Sequence, residues 1–217
     1  MKLEDVYYFS MKKILQPKLF ALVEEVIQLS AAHPIDEIEV QKKINAVSRS
    51  RDNEHLRQAS NLVAEIAAFA DLTKRSKAPH WVPELKDKKM PDLEVDQYPI
   101  EVKHLNSPRA EHDALADGQL YGGSVDTNYH IGLDKKVGDF IKDARKKFIS
   151  YNHLKNDNGS AEGTLYLYFS KSIDAGIADS IEWMAKMEDR IEAIAKRHLL
   201  STDKITLEIR DIDQILE

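Results

Sequence analysis

The sequence predicts an α/β protein in which a mixed central β-sheet is flanked by helices. Three observations predict this class. Apolar residues recur at helical spacing in several long segments, they alternate with polar residues over 91–105, and they form one short continuous run over 163–170. A chain of 217 residues is long enough for one domain with additions at its ends.

Composition excludes several classes of protein. The chain is 42% apolar and 31% charged and has no cysteine, which excludes disulfide scaffolds, thiolate metal sites and thiol catalysis. Carboxylates, imidazoles and hydroxyls remain as ligands, so a bound metal is expected to be hard. No segment has the length and apolarity of a membrane span, and acidic residues interrupt the opening MKLEDVYYFSMKK where a signal peptide would be apolar. We therefore expect a cytoplasmic protein with no membrane partner.

Helical periodicity predicts that residues 1–50 form a helical appendage. Apolar residues repeat at helical spacing over 20–29, and a second helix is expected after Pro34, with acidic residues in its first turn. A third helix is predicted over about 55–74, with an alanine-rich apolar stripe that suits a core. Two prolines then leave room only for a short strand near Trp81.

Residues 91–105, PDLEVDQYPIEVKHL, predict a β-hairpin. A two-residue loop at Asp96-Gln97 would place Asp92 directly opposite Glu101. Because Asp-Gln is a mediocre sequence for such a turn, a longer loop with a bulge stays open. The alternation assigns apolar side chains to one face: Leu93, Val95, Tyr98, Ile100 and Val102. It assigns polar side chains to the other: Asp92, Glu94, Glu101 and Lys103.

The elements after the hairpin complete the core, which ends at residue 170, and then extend beyond it. They are a polar connection over 106–128, a short strand over 129–133, a helix over 134–151, a buried strand over 163–170, a helix over 174–199 and a final strand over 205–212. Residues 51–170 would then form the core domain. Residues 171–217 would add a helix and a strand that pack on it.

Charge is distributed unevenly along the chain. The net charge of −6 argues against a general nucleic-acid coat protein. However, residues 74–89 hold six basic and two acidic residues, and residues 135–155 hold seven and two, whereas residues 174–217 hold six and eleven. The basic stretches supply candidates for phosphate contact: Lys88, Lys89, Lys142, Arg145, Lys146 and Lys147, of which the last four are expected on the exposed side of their helix.

The polar face of the hairpin is the candidate site. Directly opposed like charges destabilise a sheet, so Asp92 and Glu101 call for a compensating cation. A divalent cation would reverse the sign of their interaction, and Mg²⁺ prefers oxygen ligands of this kind. Lys103 lies two residues beyond Glu101 on the same face, where it could polarise a metal-bound water or neutralise charge on a phosphate oxygen.

Pro91-Asp92, eight intervening residues and Glu101-Val102-Lys103 resemble the PD-(D/E)XK nuclease superfamily, which has the restriction-endonuclease-like fold. The predicted order of elements over 55–170 is also similar to the αβββαβ core of that superfamily. The resemblance covers about half of the chain. The Gln-x-x-x-Tyr motif of one branch is missing from the sequence, so no subfamily is assigned.

The resemblance implies a site and an activity. Asp92, Glu101 and the backbone carbonyl of Val102 would bind Mg²⁺ or Mn²⁺, Lys103 would assist the attacking water, and Glu65 would complete the site from the preceding helix. The expected function is a metal-dependent nuclease that cleaves DNA.

Two other functions stay open from the sequence. One is a toxin or defence nuclease that cleaves RNA or tRNA, and the other is a non-catalytic protein-interaction module on the same fold. Restriction-like enzymes with duplex targets are often symmetric dimers, and the N-terminal helices could supply a homodimer interface.

Overall fold

In the computed structural model the described residues are 16–49, 52–105, 127–156, 159–169, 186–212 and 214. Their helices are α1 (Gln16–Ser30), α2 (Pro34–Arg49), α3 (Asp52–Lys74), α4 (Thr127–Asn156) and α5 (Met187–His198). Their strands are β1 (Pro79–Trp81), β2 (Leu93–Val95), β3 (Tyr98–His104), β4 (Glu162–Phe169) and β5 (Lys204–Asp211). No described helix is both long enough and apolar enough to cross a membrane.

The five strands form one mixed sheet in the order β1-β2-β3-β4-β5. The strands β1, β2 and β3 pair antiparallel, whereas β3, β4 and β5 pair parallel. The parallel connections contain helices, as parallel pairing requires. The described structure therefore confirms the predicted α/β class, with a mixed sheet between helices.

Alternation along the strands gives the sheet two buried faces. One face packs against α1, α2 and α3 through Leu93, Val95, Ile100, Val102, Tyr166 and Tyr168. The opposite face packs against α4 and α5 through Leu105, Leu165, Leu167, Phe169 and Ile205. Glu101 and Lys103 alternate with Ile100 and Val102 on β3, so they share the face of α4.

The hairpin has the predicted register. Leu93 pairs with Ile100 and Val95 pairs with Tyr98. Asp96 and Gln97 both have positive φ angles, 51° and 62°, which is the pattern of a type I′ turn. This turn twists in the same sense as its strands, so the two-residue loop forms without the bulge that its sequence left open.

The strand predicted over 129–133 is wrong, because the single helix α4 runs from Thr127 to Asn156. A short apolar alternation does not distinguish strand from helix, and here the helical repeat of Leu133, Val137 and Ile141 extends towards the N-terminus. Residues 106–126 of the polar connection predicted over 106–128 lie outside the described residues, as does the first part of the predicted C-terminal helix, 174–185. The end of that connection is wrong, because Thr127 and Asn128 already belong to α4.

Candidate active site

The backbone of the hairpin fixes Asp92 beside β3. The Asp92 amide donates to the carbonyl of Ile100 at 3.1 Å, and the Asp92 Oδ2 atom accepts from the Val102 amide at 2.9 Å. The carboxylate is therefore held from one side by the neighbouring strand. Its second oxygen, Oδ1, lies 3.8 Å from Lys147 Nζ and 3.9 Å from Lys43 Nζ, distances too long for hydrogen bonds.

Glu101 is fully buried between β3 and α4, with 0% of its side chain exposed. Both Lys103 Nζ and Lys147 Nζ lie 2.6 Å from its Oε1 atom. Its Oε2 atom is buried and has no hydrogen-bond partner among the described residues. Such an oxygen is costly unless a donor or a cation approaches it.

Glu65 of α3 joins the same group through Lys43. Lys43 Nζ lies 2.7 Å from Glu65 Oε2 and 3.9 Å from Asp92 Oδ1. We call Lys43, Glu65, Asp92, Glu101, Lys103 and Lys147 the carboxylate–lysine cluster. The four side chains that the sequence predicts for the site, Glu65, Asp92, Glu101 and Lys103, all belong to it. Val102 contributes its amide to Asp92, and the metal contact of its carbonyl stays a prediction.

Two members of the cluster were not predicted for it. Lys43 lies beside the buried residues Val40 and Ile44 on α2, so the helical repeat already places it towards the core. Lys147 was predicted on the exposed side of its helix, but that is wrong, since only 16% of its side chain is exposed. It borders the buried stripe of α4 that contains Ala144 and Tyr151, one helical turn away in each direction.

Burial and charge shift the pKa values of this cluster in opposite directions. Burial, reinforced by the Asp92 charge, raises the pKa of Glu101 to about 8 against the pull of its lysines. Burial also opposes the ionised form of Asp92, but Lys147, Lys43 and Lys103 outweigh it and hold that pKa at about 2. Burial raises the pKa of Glu65, and nearby Lys43 only partly offsets this. The cluster thus combines a firmly ionised carboxylate with two that resist ionisation.

The other predicted phosphate-contacting residues fall into two groups. Lys88, Lys89, Lys142 and Lys146 are exposed. Lys89 pairs with Asp143 at 2.8 Å, and Asp143 also lies 3.2 Å from Lys103 Nζ. Arg145 is not on the exposed side, because its guanidinium is bonded to Asp203 and to the carbonyl of His198.

The contacts of Glu94 lie outside the carboxylate–lysine cluster. Its Oε2 atom accepts from the Tyr151 hydroxyl, and Lys155 Nζ lies 3.7 Å from it. The Glu94 carboxylate thus has its partners on α4, away from Asp92. Glu94 therefore ties β2 to α4 and is not assigned as a metal ligand.

The donor set of the cluster suits a hard divalent ion. Asp92 and Glu101 each have one oxygen anchored by an amide or by lysines, and each has a second oxygen without a close donor in the described structure. Two such carboxylates from adjacent strands could hold Mg²⁺ or Mn²⁺, which often keep waters and accept substrate phosphates as further ligands. Lys103 would lie beside an ion held there.

Comparison with protein-family models, with curated proteins and with solved structures finds no match to this chain. Its function is therefore inferred from the arrangement of its own side chains.

Proposed function

We propose that this protein is a metal-dependent nuclease of the PD-(D/E)XK type that hydrolyses phosphodiester bonds, with DNA as the favoured substrate. One observation carries the proposal: the second oxygens of Asp92 and Glu101 lack a close donor while their first oxygens are held in place. Buried carboxylate oxygens of this kind are suited to a cation. The described order of helix, three antiparallel strands, helix and parallel strand supports a restriction-endonuclease-like core.

Each residue of the site would have a distinct role. Asp92 and Glu101 would bind Mg²⁺ or Mn²⁺, and the ion would lower the pKa of a bound water and stabilise charge on the phosphate. Lys103 would orient that water and neutralise developing charge. In-line attack of the water on phosphorus would break the bond to the 3′ oxygen and leave a 5′-phosphate. Glu65 would help to hold the ion through a water.

Charge balance indicates that metal and phosphate would bind together. The cluster holds three carboxylates and three ammonium groups, which already neutralise one another when all are ionised. A divalent ion alone would leave an excess of positive charge in a buried site, which is unfavourable. A phosphodiester would remove that excess. We therefore expect each to raise the affinity of the site for the other.

The same contacts favour a second candidate, a non-catalytic interaction module. Lys43 already pairs with Glu65, and two lysines already pair with Glu101. The lysines could therefore replace the metal altogether, as ion pairs do in a purely structural cluster. In that case the helices of the N-terminal appendage would dock a partner protein, and no cation would bind at Asp92.

The test combines cleavage with cation binding. Supercoiled plasmid and labelled RNA are incubated with the purified protein and Mg²⁺ or Mn²⁺, with and without EDTA. We expect nicked or degraded DNA, no reaction in EDTA, and a loss of about 100-fold or more in Lys103→Met and Glu101→Gln. Lys196→Met is the matched control, since Lys196 lies on α5 with 65% of its side chain exposed.

Each result selects one function. Cleavage of RNA but not of DNA would favour the RNA-cleaving alternative. Inert wild-type protein on both substrates, together with calorimetry that detects no cation binding dependent on Asp92, would overturn the nuclease proposal and favour the interaction module. The homodimer and the cytoplasmic location stay predictions.

A further inference from the structure

A second group of metal-ligating side chains lies apart from the carboxylate–lysine cluster. His33 immediately precedes α2, Asp36 lies in the first turn of that helix, and His80 is the central residue of the edge strand β1. One ligand atom from each of the three side chains lies within 4.8 Å of the other two. The packing of α2 on β1 thus brings His80 to Asp36, which lies 44 positions earlier in the sequence.

The carboxylate of this group is fixed by the backbone. Asp36 is buried, and its Oδ1 atom accepts from the Trp81 amide at 2.7 Å. Its Oδ2 atom lies 2.8 Å from His80 Nδ1. The bond from the Trp81 amide is an outer hydrogen bond of the type that orients metal-binding carboxylates, whereas Oδ2 and the His80 ring face each other as candidate ligands.

The two histidines and the neighbouring tryptophan are also held in place. The His33 ring packs edge-on against the His80 ring, with 4.7 Å between their centroids. Trp81 donates from Nε1 to Ser30 Oγ at 3.1 Å and stacks on Phe69. These contacts pin β1 to α1, α2 and α3. The ligand atoms are therefore grouped by rigid elements before any ion arrives.

We propose that His33, Asp36 and His80 bind a divalent first-row transition-metal ion, with Zn²⁺ as the reference ion. Two imidazoles and one carboxylate match the ligands that Zn²⁺ takes, whereas Mg²⁺ and Ca²⁺ prefer oxygen alone. Three protein ligands leave at least one position for water, and the exposure of His33 opens that position to solvent. The ion would fasten the N-terminal helices to the edge of the sheet.

A metal-free alternative uses the same residues differently. Asp36 and His80 could form only an ion pair, which would also hold α2 on β1. His33 distinguishes the two, because the ion pair does not need it and the metal site does. The N-terminal dipole of α2 opposes a cation here, and the acidic residues Asp36 and Glu37 in its first turn offset that effect. The site does not depend on the proposed nuclease activity.

The test measures metal binding directly on the full chain after removal of metal by EDTA and dialysis. Calorimetry with Zn²⁺ should show one site in an Asp92→Asn background, which removes the candidate site of the carboxylate–lysine cluster, and Co²⁺ should give the visible absorption of a low-coordinate His/carboxylate complex. Zn²⁺ at about 100 times its dissociation constant should raise the melting temperature by about 5–10 °C. His33→Gln should weaken binding at least about 100-fold, because even outer partners of metal ligands matter by 10–100-fold.

The control is His153→Gln, an exposed histidine on α4 outside the group. It should bind Zn²⁺ as the wild type does. Since His33 is exposed and, among the described aromatic rings, its ring contacts only that of His80, its replacement should lower the metal-free melting temperature by no more than about 2 °C, so lost binding would not reflect unfolding. Equal binding by wild type and His33→Gln, or no binding by the wild type, would overturn the proposal and leave the ion pair. Neither result bears on cleavage of DNA.

Discussion

At the scale of single residues, the unusual feature is a fully buried glutamate held by two lysines. Glu101 takes both contacts on one oxygen, and its other oxygen has no hydrogen-bond partner in the described part of the chain. A purely structural ion pair would be more stable if both carboxylate oxygens had hydrogen-bond partners. A carboxylate that binds a metal ion in place of an ammonium group would instead keep one oxygen available for the ion. The two interpretations differ in how the protein responds when one lysine is removed.

Lys147→Met should separate these interpretations. In EDTA we expect a loss of about 1–3 kcal/mol in the free energy of unfolding, because Glu101 and Asp92 lose a buried positive neighbour. With Mg²⁺ added, the variant should regain more stability than the wild type gains, since the ion takes the place of the ammonium. Urea unfolding with and without Mg²⁺ measures both effects.

Lys146→Met is the matched control, because Lys146 is the adjacent but exposed lysine. Its unfolding free energy should change by less than about 0.5 kcal/mol in either condition. If Mg²⁺ stabilises Lys147→Met no more than it stabilises the wild type, no ion replaces the ammonium.

The hairpin turn offers a prediction on backbone conformation. Asp96 and Gln97 both adopt positive φ, which a non-glycine residue does at a cost of about 1 kcal/mol. Gln97→Gly gives the preferred Asp-Gly sequence of a type I′ turn. It should raise the free energy of unfolding by about 0.5–1 kcal/mol, a value that already subtracts the cost of the more flexible unfolded chain. Thermal unfolding measures the gain. Gln28→Gly, in the exposed part of helix α1, should instead destabilise by about 1 kcal/mol.

At the scale of elements, the position of α4 decides where Lys147 lies. This helix packs on β4 through Phe148, which is fully buried. A Cβ atom added at Gly163 would lie 2.8 Å from the Phe148 ring, so the glycine allows the close approach. One helical turn before Phe148, Arg145 fastens α4 to the turn that leads into β5. The site thus depends on contacts that lie outside it.

Gly163→Ala should destabilise the protein by about 1–3 kcal/mol, because the new methyl group overlaps the fully buried Phe148 ring. A double-mutant cycle in urea with Phe148→Leu checks the cause. The smaller side chain should reduce the cost of the alanine, which gives a coupling energy of at least about 0.5 kcal/mol. An equal cost of Gly163→Ala in both backgrounds would mean that the ring is not responsible.

Asp203→Asn tests the fastening of α4 across pH. The Arg145 guanidinium, through its hydrogen bonds, holds the pKa of Asp203 below its usual value. A depressed pKa means that the ionised group stabilises the folded state above the unfolded pKa of about 3.9 and ceases to do so as the pH falls through the folded pKa. At pH 7 the variant should lose about 1–3 kcal/mol, since only 2% of the Asp203 side chain is exposed. The difference from wild type in urea unfolding should shrink below about pH 4.

Asp139→Asn is the control for that series. Asp139 lies on the same helix with 57% of its side chain exposed and only a 3.7 Å contact to Lys142. Its stability difference from wild type should be small at every pH. A pH-independent loss in Asp203→Asn would contradict the proposed role of its charge.

At the scale of the whole molecule, basic residues are concentrated in two stretches in the middle of the sequence, whereas acidic residues are concentrated in its C-terminal part. Three exposed lysines, Lys88, Lys142 and Lys146, belong to the basic stretches that flank the candidate site in sequence. The acidic C-terminal part would repel a polyanion. A nucleic acid bound as proposed would therefore contact the basic stretches. Sequence-independent binding through phosphate contacts is expected to weaken with salt.

The triple variant Lys88→Ala, Lys142→Ala and Lys146→Ala should weaken binding of duplex DNA about equally for all sequences. The slope of log Kd against log salt should fall by about 2–3, because each lost phosphate contact reduces it by about one. Fluorescence anisotropy in EDTA measures this without cleavage. The control triple, Lys186→Ala, Lys196→Ala and Lys204→Ala, changes the net charge equally at exposed positions of the C-terminal part. Equal slopes in the two triples would place the DNA elsewhere.

The sequence by itself determined the helices and strands whose repeats are long, the hairpin register, and the face that carries Asp92, Glu101 and Lys103. These features follow from local periodicity, since a side chain on a strand alternates between faces whatever packs against it. It did not determine the helical state of 129–133, because a short run fits either structure.

Only the tertiary structure decided which side chains of distant elements meet. Lys43 and Lys147 join the carboxylates, and His33 meets His80, because α2 and α4 pack on particular parts of the sheet. Arg145 and Lys147 are two residues apart on one helix, yet one contacts Asp203 and the other Glu101. Helical periodicity gives the direction in which each side chain leaves the helix axis. Only the packing of the helix decides which neighbour lies in that direction.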